Sequence, residues 1–162
     1  KLTSMVPQAL INNIATYLSN YRMLNDYISV GAAKVIDLSL TIDLIIEQSS
    51  NQGEVVTNVI TQIGEYFDID KSEMGVDISL GALRGLIMKQ AGVLNIVDMK
   101  VYNKVGGQYS QSISTQPYIP QTNREIQLID DTIYAQPNEI LQIRFPDTDI
   151  AIRVKKPEKP TF

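Results

Sequence analysis

The stretch from Asp37 to Glu47, DLSLTIDLIIE, decides the fold class. Apolar side chains alternate with polar ones along it, apart from Ile45, which is the period of a β-strand with one face in the core and the other in water. The predicted core-facing set is Leu38, Leu40, Ile42, Leu44 and Ile46.

Three other segments show the helical period instead. The first begins near Pro7 and ends near residue 21, and the second covers residues 55–67, with Asn51 as its N-cap. The third begins after Ser79, and Gly92 is placed to adopt the left-handed conformation that ends helices. We expect each helix to bury one apolar stripe against a sheet.

Beyond these helices the sequence favours strands. Residues 94–102 are rich in Ile, Val and Tyr, and short β-like runs follow at 125–129, 140–145 and 150–154. We therefore predict an α/β (α+β) fold, a small mixed sheet with about three helices packed on it and a β-rich C-terminal segment. The predicted divisions are residues 1–102, an extension over 103–154 and an extended tail over 155–162.

The extension begins with a polar loop over residues 103–123. Gly106 and Gly107 lack the longer glycine pattern and the following helix that a phosphate-binding loop requires, so we interpret them as the tip of a hairpin. Pro117 and Pro120 mark the later part of the loop.

Composition argues against several functional classes. The chain has 162 residues and a net charge of −4, so it lacks the basic field that attracts nucleic acid. It has no histidine and no cysteine, which removes the usual general base and the usual transition-metal ligands. We expect neither an enzyme, a cofactor nor a metal.

The sequence contains no apolar run long enough to span a membrane, and its start lacks the apolar run of a signal peptide. The chain begins at Lys1 and not at a methionine, which is typical of a piece of a longer polypeptide.

One acidic pattern resembles the start of a calcium-binding loop. Asp68, Asp70 and Ser72 occupy alternate positions, as the first ligands of an EF-hand do. However, Glu73 stands where the loop needs glycine, and Ser79 stands where it needs a bidentate glutamate. We therefore interpret the segment as an acidic turn after a helix.

Two acidic pairs are candidates for acid–base chemistry, which needs two carboxylates in unlike environments. These pairs are Asp130 with Asp131 and Asp147 with Asp149. Both lie at predicted strand ends, where aspartate usually bonds its own backbone, so we interpret them as turn residues.

The candidate site residues are interface residues. Tyr109 and Tyr118 lie in the polar loop, which offers little core to bury them. Arg153, Lys155 and Lys156 make the C-terminal stretch locally basic, which fits either an acidic neighbour or a solvated tail.

The order of these features resembles the C-terminal region of the baseplate J-like family, the wedge subunits of contractile phage tails. The resemblance covers about residues 7–102. It rests on the first helix, the alternating strand, the helix over 55–67, and Gly75, Ile78-Ser79-Leu80 and Gly92-Val93. A looser similarity lies at residues 137–141.

The resemblance implies a structural subunit of a tail baseplate in the virion, assembled in the host cytoplasm. Its expected partners are further copies of itself, in a ring, and other wedge or hub proteins. It implies no catalytic residue. An alternative is a regulatory α/β module that binds a small molecule, because small sheets with helices on one face often host such sites.

Overall fold

The structure, a computed structural model, describes residues 6–24 and 26–160. The described residues form four α-helices, six strands and one short 3₁₀ turn. In chain order the helices and strands are α1 (Gln8–Ser19), β1 (Lys34–Ile46), α2 (Gln52–Tyr66), β2 (Ile78–Ser79), α3 (Leu80–Met88), β3 (Val93–Lys104), β4 (Thr132–Ile133), β5 (Glu139–Gln142), α4 (Pro146–Asp149) and β6 (Ile150–Lys155). None of the helices among the described residues has the length and apolar character needed to cross a membrane.

Strand β1 is the centre of the main sheet. Strand β3 pairs with it in antiparallel fashion on one side, where Ser39 lies opposite Tyr102. On the other side β5 and then β6 pair with it in parallel, end to end, with α4 between them. Strands β2 and β4 form a separate two-stranded sheet. This mixed sheet with helices confirms the predicted α+β fold class.

The core lies between one face of β1 and helices α2 and α3. All the predicted core-facing residues of β1 are buried, as are three residues each from α2 and α3. Asn51 caps α2 by accepting a hydrogen bond from the Gly53 amide, and Ser79 caps α3 by accepting one from the Ala82 amide. The predicted N-cap and the predicted start of the third helix are thus confirmed.

Gly92 adopts the predicted left-handed conformation, with φ +85°, but in a different role. Helix α3 already ends at Met88, and Gly92 lies in the turn that leads into β3. A Cβ atom at Gly92 would lie 2.7 Å from Ser50 Oγ and 2.9 Å from Val55 Cγ2. Glycine is required there because the turn passes directly against the start of α2.

Helix α1 matches the predicted helix in position but not in packing. It buries none of its residues, so its apolar stripe stays exposed. Among the helices that the structure describes, only α2 and α3 cover the core face of the main sheet with buried apolar side chains.

Residues 105–131, here called the excursion, contain no helix or strand. Gly106 and Gly107 form a turn with φ values of 86° and 62°, but no paired strands follow, so the predicted hairpin is wrong. The predicted strand over 125–129 is reduced to isolated bridges, such as Glu125 with Tyr102. The predicted strand over 140–145 stops at Gln142, before the single turn of α4.

Candidate functional site

The face of the main sheet opposite the helices carries the odd-numbered side chains of β1. We call it the open face. At its upstream end Asp37 and Ser39 are buried beneath the excursion, whereas Asp43 further along is half-buried and pairs with Arg153 of β6 (Nε to Oδ1, 2.6 Å). The sequence predicted that this whole face would contact water, and the structure corrects that prediction for its upstream end.

Asp37 is the most enclosed carboxylate on this face, with no exposed surface. The Ser110 amide donates to its Oδ2 atom (2.6 Å), and the Gln142 side-chain amide donates to Oδ1 (2.6 Å). The Arg144 guanidinium lies 3.3 Å from Oδ1 and balances the charge. These bonds join the excursion, β1 and the end of β5 at one point, which is how a buried charge is tolerated.

Asn103, at the end of β3, also joins the excursion to the sheet. Its side-chain amide donates to the Asp37 carbonyl oxygen (3.1 Å). Its Oδ1 atom accepts hydrogen bonds from the Ser114 amide and the Tyr118 hydroxyl, both at 2.8 Å. Asn103 therefore holds two separate points of the excursion against the sheet.

Gln116 holds the excursion to itself and to β4. Its side-chain nitrogen donates to the carbonyl oxygens of Gln127 (2.6 Å) and Thr132 (3.1 Å), and its Oε1 atom accepts from the Tyr134 amide (2.8 Å). The side chain is buried and replaces hydrogen bonds that a strand ladder would otherwise provide. We call Asp37, Asn103 and Gln116 the polar anchors.

Tyr109 ties the excursion to α4. Its hydroxyl donates to Asp149 Oδ1 (2.6 Å), and its ring packs edge-on against Phe145 at 5.7 Å between centroids. The hydrogen bond to Asp149, followed by burial, raises the pKa of Tyr109 to about 12. Asp149 Oδ2 also accepts from the Phe145 amide (3.0 Å), so this carboxylate holds its own helical turn closed.

A groove of about 480 Å³ opens on the open face between the excursion and α4, and we call it the sheet-end groove. Its floor is formed by Ser39 and Thr41 of β1 and by Ala151 of β6. Its walls are formed by Tyr102, Lys104, Tyr109, Asn123, Arg124 and Thr148, among others. The lining is mostly polar, unlike that of a typical small-molecule pocket.

The structure places the candidate interface residues in two regions. Tyr109 and Tyr118 are half-buried in the excursion, and both hydroxyls bond within the chain, so each has an intramolecular role that the sequence did not indicate. Burial raises the pKa of Tyr118. Arg153, Lys155 and Lys156 lie at the end of β6, where Lys156 Nζ donates to the Gln48 carbonyl oxygen (2.8 Å). Their contact with a partner stays a prediction.

Two of the three acidic segments that the sequence interpreted as turns are turns, whereas Asp147 and Asp149 lie in the short helix α4. Asp68 caps a short 3₁₀ turn by accepting a hydrogen bond from the Asp70 amide. Asp130 and Asp131 adopt left-handed conformations, and Asp131 pairs with Arg84. Across residues 6–24 and 26–160, no group of three or more acidic side chains is arranged to hold a metal ion.

Sequence reasoning missed the polar anchors. A usable signal existed at Asn103, which continues the alternation of Met99 and Val101 and so falls on the core face of β3. A polar amide at a core position must find hydrogen-bond partners. Asp37 gave no such signal, because alternation placed it on the face predicted to contact water.

No protein-family model matches the chain, and no curated protein matches it. The resemblance to the baseplate J-like family therefore stays a prediction, and the geometry of exposed and buried surfaces has to support any functional proposal.

Proposed function

We propose that this chain is a structural assembly module of a contractile-tail baseplate, which binds further copies of itself and neighbouring wedge or hub proteins. The observation that carries the proposal is the apolar surface of the N-terminal segment. Its members are exposed apolar side chains within and just after α1: Leu10, Ile14, Tyr17, Leu18, Tyr21, Met23, Leu24 and Tyr27. We call this set the N-terminal apolar surface.

The size of this surface is that of an interface. Tyr17, Tyr21 and Tyr27 are 62%, 72% and 90% exposed. Since an aromatic side chain carries about 150–250 Å², these three rings alone expose roughly 450 Å² per copy, against roughly 800 Å² per partner in a standard interface. Tyr17 and Tyr21 lie side by side, with ring centroids 5.2 Å apart, and exposed apolar patches of a few hundred Å² are often functional.

The charge pattern favours a second copy as the partner. No charged residue occurs between Val6 and Tyr21, so two copies of α1 can pack side by side without repulsion between like charges. Pairing α1 with α1 would bury the same stripe on both copies, which is the symmetric contact most homodimers use.

The rest of the chain suits a scaffold. The apolar core and the polar anchors give a rigid body, and a rigid body fixes the angle between the partners that it binds. Asp37 and Asp149, two of its buried carboxylates, are occupied by donors from the chain itself. This arrangement supports assembly in preference to acid–base chemistry, which needs a carboxylate that can reach a substrate.

The first test is sedimentation velocity over a range of concentrations in about 1 M salt, where the screening length falls to about 3 Å and contacts between exposed charges are weakened. The wild-type chain should dimerise, and a variant with Leu10→Ser, Tyr17→Ser and Tyr21→Ser, here called the α1 variant, should lose that dimer. Because α1 buries no residue, the variant should have the melting temperature that the wild type shows at concentrations too low for dimerisation.

A matched control replaces three exposed apolar residues elsewhere, Leu94, Val97 and Ile113, with serine. It should dimerise like the wild type. A wild-type chain that stays monomeric at its highest soluble concentration, or an α1 variant that still dimerises, would contradict the proposed contact. Baseplate genes are grouped with other tail genes, so a gene neighbourhood without them would contradict the baseplate assignment.

A further inference from the structure

Two cationic side chains line the sheet-end groove without an acidic partner. Neither Lys104 nor Arg124 forms an ion pair within the part of the chain that the structure describes. Among the described lining residues only Asp149 carries a carboxylate, and it already accepts hydrogen bonds from Tyr109 and Phe145. The groove therefore has surplus positive charge, although the net charge of the chain is −4.

The structure holds the backbone of Arg124 and the side chain of Lys104 in place. Arg124 has a φ of 60°, in the left-handed region that side-chain-bearing residues rarely adopt, and its carbonyl oxygen accepts a hydrogen bond from the Asn103 amide (3.0 Å). Lys104 Nζ lies 5.9 Å from the centre of the Tyr109 ring, within the range of a cation–π contact. Backbone strain of this kind is concentrated at functional positions, where the surrounding structure maintains it.

The chain also carries a surface complementary to this groove. Residues 68–77, here called the acidic segment, lie between α2 and β2. Asp70 and Glu73 are exposed there, and the described residues give neither of them an ion-pair partner. Met74 and Val76 lie beside them, 59% and 50% exposed. Apolar side chains beside charged ones have the composition of an interface patch.

We propose that the sheet-end groove of one copy binds the acidic segment of the next copy. The carboxylates of Asp70 and Glu73 pair with Lys104 and Arg124. Met74 packs against the tyrosine rings of the groove wall, a contact that thioethers favour.

This contact is head to tail, because groove and segment are different surfaces of the chain. Head-to-tail contacts generate rings when the rotation closes. The inference rests on the proposed function, since it names a second contact, besides α1, through which copies assemble.

The test uses the full chain with the α1 substitutions, so that only the head-to-tail contact remains. At low ionic strength, sedimentation equilibrium should show self-association that added salt weakens. Lys104→Glu with Arg124→Glu should weaken the association by about tenfold or more, and so should Asp70→Lys with Glu73→Lys. A chain with all four substitutions should associate again, because both charges of each pair are reversed.

The matched control is Lys89→Glu with Lys159→Glu, two exposed cations away from the groove, which gives the same change in net charge as the groove substitutions. It should associate like its parent. The inference fails if the parent does not associate, if the control weakens association as much as the groove pair does, or if the fourfold variant does not recover. None of these results affects the α1 dimer, which is measured in high salt, where the charged head-to-tail contact is screened, so failure of one contact is distinguishable from failure of the other.

Discussion

The core beneath α2 and α3 is held together by apolar side chains, whereas the excursion, which adds Ile126 to that core, is held to the same sheet mainly by polar ones. In the core, buried aliphatic side chains such as Leu38, Ile63 and Leu83 contribute in proportion to their area. Around the excursion, the three polar anchors, one each from β1, β3 and the excursion itself, bond two or more partners apiece. The core therefore tolerates apolar exchanges that keep its volume, but an anchor cannot be exchanged without leaving buried groups unpaired.

The largest expected effect comes from removing the anchor at the centre of this arrangement. Asp37→Ala leaves the Arg144 charge without its buried carboxylate and the Ser110 amide without its acceptor. We expect the free energy of unfolding to fall by about 3–5 kcal/mol, the usual cost of breaking a buried pair. Denaturant titration followed by circular dichroism measures it.

Asp43→Ala is the matched control for Asp37→Ala, because it lies on the same strand and the same face. Its ion pair with Arg153 is solvent-exposed on the arginine side, so its loss should cost less than about 1 kcal/mol. If both variants lost equal stability, the polar anchor would have no special role, and the contrast between the two regions would disappear.

A smaller effect tests the link between the excursion and α4. Tyr109→Phe removes the hydroxyl that donates to the Asp149 carboxylate, and we expect a loss of about 1.5 kcal/mol at neutral pH, since hydrogen bonds to charged groups are worth about 1.5–3 kcal/mol. Tyr134→Phe is the control, because Tyr134 is 41% exposed and its hydroxyl has no partner among the described residues; it should change stability little.

The difference in stability between the wild type and Tyr109→Phe should depend on pH. The folded state raises the pKa of Tyr109 from 10.0 to about 12, so it favours the protonated hydroxyl. Its stabilising contribution is complete below pH 10 and is lost as the pH rises from about 10 to about 12. The stability advantage of the wild type over Tyr109→Phe should shrink over that interval, and an advantage that stayed constant would contradict the assigned hydrogen bond.

The contrast between the apolar core and the polar anchors explains which elements the sequence could predict. Alternation in β1 and helical periodicity in α2 and α3 are signals of apolar burial, and these elements were predicted within a few residues. The short strands β2 and β4 and the turn of α4 were missed, because elements of two to four residues show no period. Their positions depend on tertiary contacts such as the hydrogen bond from the Leu80 amide to the Asp131 carbonyl oxygen.

The candidate site was less predictable than the fold. The polar loop around Tyr109 predicts an interface role because it offers little core, yet the structure gives Tyr109 both an aromatic partner and a carboxylate. No sequence pattern indicates Lys104 and Arg124, because they lie 20 positions apart and the path of the excursion brings both to one groove. Surfaces formed by irregular segments have no pattern in the sequence until those segments are placed.

The smallest expected effect separates stability from binding at Arg124. Arg124→Gly relieves the left-handed strain at φ 60°, worth about 1–2 kcal/mol, but adds about 0.5–1 kcal/mol of unfolded-chain entropy, so the net gain should be about 0.5 kcal/mol. Gln121→Gly is the matched control, since Gln121 has a φ of 63° in the same excursion but does not line the groove. Both variants should be slightly more stable in thermal unfolding, yet only Arg124→Gly should weaken head-to-tail association. If Arg124→Gly were destabilising, or if both variants associated equally well, Arg124 would not be a strained residue retained for binding.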